Sequence, residues 1–93
     1  MRIPDKLKIL GHEYAVKIID LNETDTFGNH NMNTLIIRLN RNKADSQIQS
    51  TLLHEIIEAI NYNMEIELEH PQISALEAGL YQVLKDNDLK FGE

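Results

Sequence analysis

The residues whose types and spacing favour chemistry lie in one stretch, residues 50–61. There, His54, Glu55 and Glu58 form a His-Glu-x-x-Glu pattern. On a helix, side chains four residues apart stand one above the other, so His54 and Glu58 can bind the same ion. Imidazole nitrogen and carboxylate oxygen are both common zinc ligands. The stretch therefore predicts His54 and Glu58 as two ligands of a metal site.

A third ligand is expected from a second helix. Glu77 lies on the edge of that helix's apolar stripe, where a carboxylate costs free energy unless it is paired or bound to a cation. The short link between the helices makes them antiparallel neighbours, which brings Glu77 towards His54 and Glu58. His70 is a competing ligand, with helix capping or a loop surface as its simpler role. Tyr81, one turn after Glu77, is either an oxyanion donor or a half-buried core aromatic residue.

The same residues also have an interpretation without metal. His54, Glu55 and Glu58 lie on the polar face of an amphipathic helix, where charged residues are expected in any case.

If an ion is bound, two carboxylate ligands would weaken it as a Lewis acid and shift the preference of the site towards manganese or iron. An active variant, a metal site without hydrolysis and a relic of a former site are therefore all compatible with the pattern.

Residues 51–61 and 76–84 together resemble a family of small phage and prophage proteins with a zincin-like metallopeptidase core of the gluzincin type. The resemblance covers the second half of the chain well and the strands loosely. It implies His54, Glu58 and Glu77 as ligands of a metal ion and Glu55 as the general base. It also implies a peptide or protein partner at the sheet edge beside the cleft. The chain departs from the family at Glu58, where the pattern has a second histidine.

The alternative from another functional class is a non-catalytic protein-interaction or regulatory module that keeps the fold without metal. For both the metallopeptidase-like protein and the interaction module, the composition limits which classes of partner are expected. The net charge of −6 leaves no basic stripe for a nucleic-acid backbone, and no apolar run is long enough to span a membrane. The N-terminus has no secretion signal, which predicts a cytoplasmic protein. The absence of cysteine excludes disulfides and thiolate ligands.

The whole chain, residues 1–93, is predicted to form a single domain. Its first half is predicted to form the strands. Residues 6–10 and 13–19 alternate in polarity around Gly11 and His12, which indicates a β-hairpin. A short extended piece near Phe27 is predicted to turn back through residues 29–33 onto a strand at 34–39, with His30 as a surface residue of the turn. The inward face of the first hairpin would carry Leu7, Ile9, Tyr14, Val16 and Ile18.

The second half is predicted to form two helices, residues 47–63 and 71–86. Ser46 and Gln49 match a capping box for the first helix, and Asn87 suits the end of the second. The tail, with Leu89 and Phe91, is expected to fold back onto the domain. The expected fold is therefore α+β, an N-terminal antiparallel sheet of three to four strands followed by two packed antiparallel helices. The core stripe of the second helix would be Ile73, Leu76, Leu80, Val83 and Leu84.

Overall fold

A computed structural model describes residues 2–21 and 26–89 of the chain. Four strands are followed by two helices, which confirms the α+β class. The elements are β1 (Lys6–Ile9), β2 (His12–Ile19), β3 (Gly28–Asn31), β4 (Ile36–Asn40), α1 (Asp45–Met64) and α2 (His70–Asp86).

The four strands form one sheet in the order β1-β2-β4-β3. The pairs β1–β2 and β3–β4 are antiparallel, but β2 and β4 run parallel. The sheet is therefore mixed rather than antiparallel throughout. This difference arises because β4 inserts between β2 and β3, so that β3 becomes an edge strand.

The first hairpin turns at Leu10 and Gly11, which have φ angles of 49° and 85°. Two consecutive positive φ angles are characteristic of the tight turns whose twist matches that of the flanking strands. His12 was predicted to be a turn residue, but it is the first residue of β2 and pairs with Ile9. The hairpin itself is confirmed, and its turn lies one residue earlier than predicted.

Helix α1 packs on one face of the sheet and closes the core. The buried cluster joins alternate residues of the strands to the apolar side of α1: Ile9, Tyr14, Val16, Ile37, Leu39, Ile48, Leu52 and Ala59. Leu7 packs partly against this cluster, as the alternation predicts. Ile18 was predicted to be buried but is 40% exposed, because it lies towards the end of β2 and outside the cluster.

The start of α1 differs from the predicted capping box at Ser46. Ala44 is the N-cap, and its N–H donates to Oε1 of Gln47 at 3.0 Å. Ser46 already lies inside the first turn, because residue 45 is helical. Gln49 instead accepts a hydrogen bond from Tyr81 at 2.7 Å. The prediction was wrong because two overlapping Ser/Ala-x-x-Gln frames fit the sequence and only the backbone distinguishes them.

Helix α2 ends as predicted, with Asn87 as its C-cap, and begins one residue earlier than predicted, with Glu69 as its N-cap and Pro71 in its first turn. Of its predicted core stripe, only Ile73 is buried, while Leu76, Leu80 and Val83 are 43–45% exposed. Among the described elements α2 packs against α1 and not against the sheet, so its apolar face is only partly covered. Leu89 is 42% exposed, and Phe91 lies outside the described residues.

Gly28 allows α1 to approach the edge strand β3 closely. A Cβ atom at this position would lie 2.7 Å from the carbonyl oxygen of Arg38 and 2.8 Å from Cγ2 of Thr51. Gly28→Ala is therefore expected to lower the free energy of unfolding by about 1–3 kcal/mol in urea titrations, as overpacking does. Gly79→Ala is the matched control, because a Cβ there meets nothing within 4 Å. It should stabilise α2 by roughly 0.5–1 kcal/mol. Equal effects of the two substitutions would contradict this account of Gly28.

Candidate metal centre

Three elements bring histidines and glutamates to one side of α1. Helix α1 carries His54, Glu55 and Glu58, and α2, packed beside it, carries His70 and Glu77. Strand β3 lies along the other side of α1. Its side chains alternate, and the residue opposite buried Ile37 is a histidine that faces α1. The site therefore depends on both helices and on the edge of the sheet.

His54 is held between two glutamates through its two ring nitrogens. Nδ1 lies 2.8 Å from Oε1 of Glu77, and Nε2 lies 3.7 Å from Oε1 of Glu58. A carboxylate accepts hydrogen bonds, so the tautomer that fits this contact carries its proton on Nδ1 and donates it to Glu77. The lone pair of Nε2 then faces Glu58.

These separations distinguish two kinds of contact. Two ligands of one tetrahedral zinc ion, with bonds of about 2.0–2.2 Å, lie about 3.3–3.6 Å apart. The 3.7 Å between His54 and Glu58 is close to that value and too long for a good hydrogen bond. The 2.8 Å between His54 and Glu77 is a hydrogen-bond distance. The structure thus brings all three predicted ligands together, and direct ligation by Glu77 stays a prediction.

His70 lies next to this pair. Its ring centroid is 5.3 Å from that of His54, and it is exposed at the start of α2. One ligand atom from each of His54, Glu58 and His70 lies within 4.8 Å of the other two. Nε2 of His70 also lies 3.4 Å from Oγ of Ser74. His70, which the sequence left as a competing ligand, is therefore placed where it can complete a three-residue site.

His30 is the residue of the candidate site that sequence reasoning missed. It was predicted to be a surface residue of a turn, but it lies on β3 and its side chain is 24% exposed. It is hydrogen-bonded to Glu55, and its Nδ1 lies 3.5 Å from Oε2 of Glu58. The register of the second hairpin could have revealed this position, because His30 pairs with the apolar Ile37.

Glu55 is a buried carboxylate with an imidazole partner. The residue is only 4% exposed, and a charge so buried is costly unless it is paired. The hydrogen bond to Glu55 is the main cause that raises the pKa of His30, with the charges of Glu55 and Glu58 adding to it and burial opposing it. The Glu55–His30 contact therefore favours the protonated imidazole.

The pH dependence of this pair can be measured in metal-free protein. The pKa of His30 is expected above its ordinary 6.5, so the pair stabilises the folded state fully below pH 6.5. That contribution is lost as the pH rises through the folded-state pKa. An NMR titration of the His30 ring protons should show a raised midpoint, and Glu55→Gln should lower it. A midpoint below 6.5, or one that Glu55→Gln leaves unchanged, would contradict the contact.

Tyr81 is a half-buried aromatic residue, which is the second of the two roles predicted for it. Its hydroxyl donates to Oε1 of Gln49 at 2.7 Å, and its side chain is half-buried between the helices. The hydroxyl is therefore hydrogen-bonded to α1 at Gln49, and Tyr81 does not line the cleft beside His54. This contact helps to hold α2 against α1, and so to position His70 and Glu77.

An open cleft of about 420 Å³ lies beside His54 between β3 and the two helices. Its volume falls in the range of small-molecule and side-chain pockets. Its lining combines the start of β3 with ionisable residues of both helices, including Phe27, Gly28, Thr51, His54, His70 and Glu77. The candidate ligands His54 and His70 are thus accessible to a bound molecule.

The comparisons with known proteins do not assign a family. No family model matches the chain, and no curated protein or solved structure matches it either. The resemblance to zincin-like phage proteins therefore stays a prediction based on residues 51–61 and 76–84. Within residues 2–21 and 26–89, neither helix has the length and apolar character needed to cross a membrane.

Proposed function

We propose that this protein binds a divalent ion between Nε2 of His54 and the carboxylate of Glu58, in a zincin-like site completed by α2. The observation that carries the proposal is the arrangement around His54. One ring nitrogen is hydrogen-bonded to Glu77, and the other faces Glu58 at 3.7 Å. A carboxylate that fixes a histidine in this way orients its free nitrogen towards a metal in many metalloproteins.

The third ligand in this proposal is His70, and Glu77 orients His54. His70 lies in the group whose ligand atoms are within 4.8 Å of one another. Glu77, in contrast, accepts a hydrogen bond from Nδ1 in the tautomer that fits the contact. Two imidazoles and one carboxylate form a donor set typical of zinc. Direct ligation by Glu77 would add a second carboxylate and favour manganese or iron instead.

The reaction class that fits such a site is hydrolysis of a peptide or related carbonyl compound. A bound divalent ion supplies Lewis acidity to water and to a carbonyl oxygen. Glu55, next to His54 on α1, would accept a proton from the attacking water. The cleft would hold the substrate, and the outer edge of β3 would align an extended peptide through backbone hydrogen bonds. The sequence favours a zincin-like protein of a phage or prophage that acts in the cytoplasm.

Zinc titration of metal-free protein by calorimetry tests this proposal. His54→Gln should abolish binding, and His70→Gln should weaken it more than the 10–100-fold loss typical of an orienting residue. Glu77→Gln should fall within that 10–100-fold range. His12→Gln is the matched control, because His12 lies on the β1–β2 hairpin and belongs to neither candidate metal group. It should bind zinc as the wild type does.

The outcomes of that titration separate the alternatives. Loss of binding in Glu77→Gln, with His70→Gln unaffected, would make Glu77 the third ligand as the sequence predicts. Absence of zinc binding to the wild-type protein at micromolar concentrations would overturn the proposal.

The second candidate function is a protein-interaction module, and the exposed apolar stripe of α2 favours it. Leu76, Leu80 and Val83 follow helical spacing and are 43–45% exposed. Exposed apolar residues grouped on one face often mark interaction sites. If the stripe is an interface between copies of the chain, sedimentation velocity should show association that depends on concentration. Leu80→Glu should abolish it. A monomeric wild-type protein without bound metal would leave neither function supported.

A further inference from the structure

We propose that the site holds two divalent ions, bridged by the carboxylate of Glu58, with the second ion bound by His30, Glu55 and Glu58. The inference rests on the proposed function for the first ion, at His54. It adds a ligand from the sheet, His30, and a second role for Glu58.

The two oxygen atoms of Glu58 face two different imidazoles. Oε1 lies 3.7 Å from Nε2 of His54, and Oε2 lies 3.5 Å from Nδ1 of His30. Both separations are close to the about 3.3–3.6 Å expected between two ligands of one tetrahedral ion. A carboxylate placed in this way can give one oxygen to each ion, and paired catalytic ions commonly lie about 3.5–4 Å apart.

The second site is formed by two separate elements. His30 comes from β3, and Glu55 and Glu58 come from α1. One ligand atom from each of the three lies within 4.8 Å of the other two. Glu55 is 4% exposed, which is unusual for a carboxylate on the polar side of a helix. Without metal Glu55 is paired with His30 through a hydrogen bond, and an ion bound between the two side chains would take the place of the shared proton.

The charges of the site also favour cations. Glu55, Glu58 and Glu77 bring three carboxylates together, and in the described part of the chain their ion pairs are all with histidines. A protonated His30 compensates one of the three negative charges and leaves the other two in a partly buried site. Two divalent ions would compensate them and leave the histidines neutral, as metal ligation requires.

The second site should prefer a different ion from the first. Its two carboxylates and one imidazole favour harder ions such as Mn²⁺, whereas His54, His70 and Glu58 favour Zn²⁺. With both ions bound, Glu55 is a ligand rather than the general base of the one-ion site. The pair would then belong to the class of two-metal hydrolytic centres, in which the ions bind the attacking and the leaving oxygen.

Metal stoichiometry tests the inference. Metal-free wild-type protein dialysed against excess Mn²⁺, and analysed for metal and protein content, should hold two ions per chain. His30→Gln should hold one, and His12→Gln should hold two. One ion in the wild type, or two in His30→Gln, would overturn the second site. One ion that His54→Gln removes would leave the proposed function intact. Absence of bound Mn²⁺ would overturn the second site, and the zinc titration would then decide the first.

A measurement on the wild-type protein avoids dependence on any variant. Electron paramagnetic resonance of the Mn²⁺-loaded protein should show an exchange-coupled pair, because a bridging carboxylate couples the two ions. A spectrum of isolated Mn²⁺ at full loading would overturn the bridge. Circular dichroism of His30→Gln should match the wild type, because a glutamine side chain can still donate a hydrogen bond to Glu55.

Discussion

Zinc at 100 times its dissociation constant is expected to raise the melting temperature of the metal-free protein by about 10–20 °C. A ligand that binds only the folded state at this concentration adds about 2.7 kcal/mol to the free energy of unfolding. For a domain of this size, 1 kcal/mol shifts the melting temperature by about 4–8 °C. The ion binds only the folded state because its ligands are brought together by the packing of α2 against α1.

Differential scanning calorimetry of two variants tests whether this stabilisation comes from zinc bound at His54. His54→Gln should lose the stabilisation, because it removes the ring nitrogen that faces Glu58. His12→Gln should keep it, since it removes a histidine outside both metal groups. If His54→Gln is stabilised as much as the wild type, the ion binds elsewhere and the assignment of His54 is wrong.

Leu39→Ala is expected to lower the free energy of unfolding by about 2–5 kcal/mol. Leu39 is fully buried on β4, between β2 and β3, and belongs to the cluster that α1 covers. Its truncation leaves a cavity at the centre of the sheet that the neighbouring strands cannot fill. Because most domains are stable by only about 5–15 kcal/mol, this loss is a large fraction of the total.

Leu80→Ala is the matched control, because it makes the same chemical change on α2. Leu80 is 45% exposed, so its truncation should cost less than about 1 kcal/mol. Urea titrations of both variants measure the difference directly. Equal losses would show that Leu80 is covered in solution, by the chain itself or by another copy, and would contradict the exposed position of this face of α2.

Much of the candidate site followed from residues that are close in sequence. The placement of His54 above Glu58 requires only that residues 50–61 be helical, because the spacing of four residues sets the geometry. The approach of Glu77 required only that a short link make α1 and α2 antiparallel neighbours. The role of Glu77 did not follow, because its contact with Nδ1 rather than Nε2 depends on the orientation of a side chain across the helix interface.

His30 marks the limit of that reasoning. A histidine between Asn29 and Asn31 has no local feature that separates a turn from a strand. Its position depends on the pairing of β3 with β4 and on the close approach of α1 at Gly28. Both are contacts between segments distant in sequence, so the local pattern of polar residues could not reveal the contact with Glu55.

The amino-acid sequence by itself determined the α+β class, the helices and the first hairpin, because hydrophobic periodicity and turn residues act over a few positions. It also determined which ionisable residues share a face of α1. Only the tertiary structure decided that β4 lies between β2 and β3, that α2 leaves Leu76 and Leu80 exposed, and that His30 joins the site. These features depend on which surfaces pack against each other. An apolar stripe or a strand edge in the sequence shows that a surface can be covered, but it does not identify the segment that covers it.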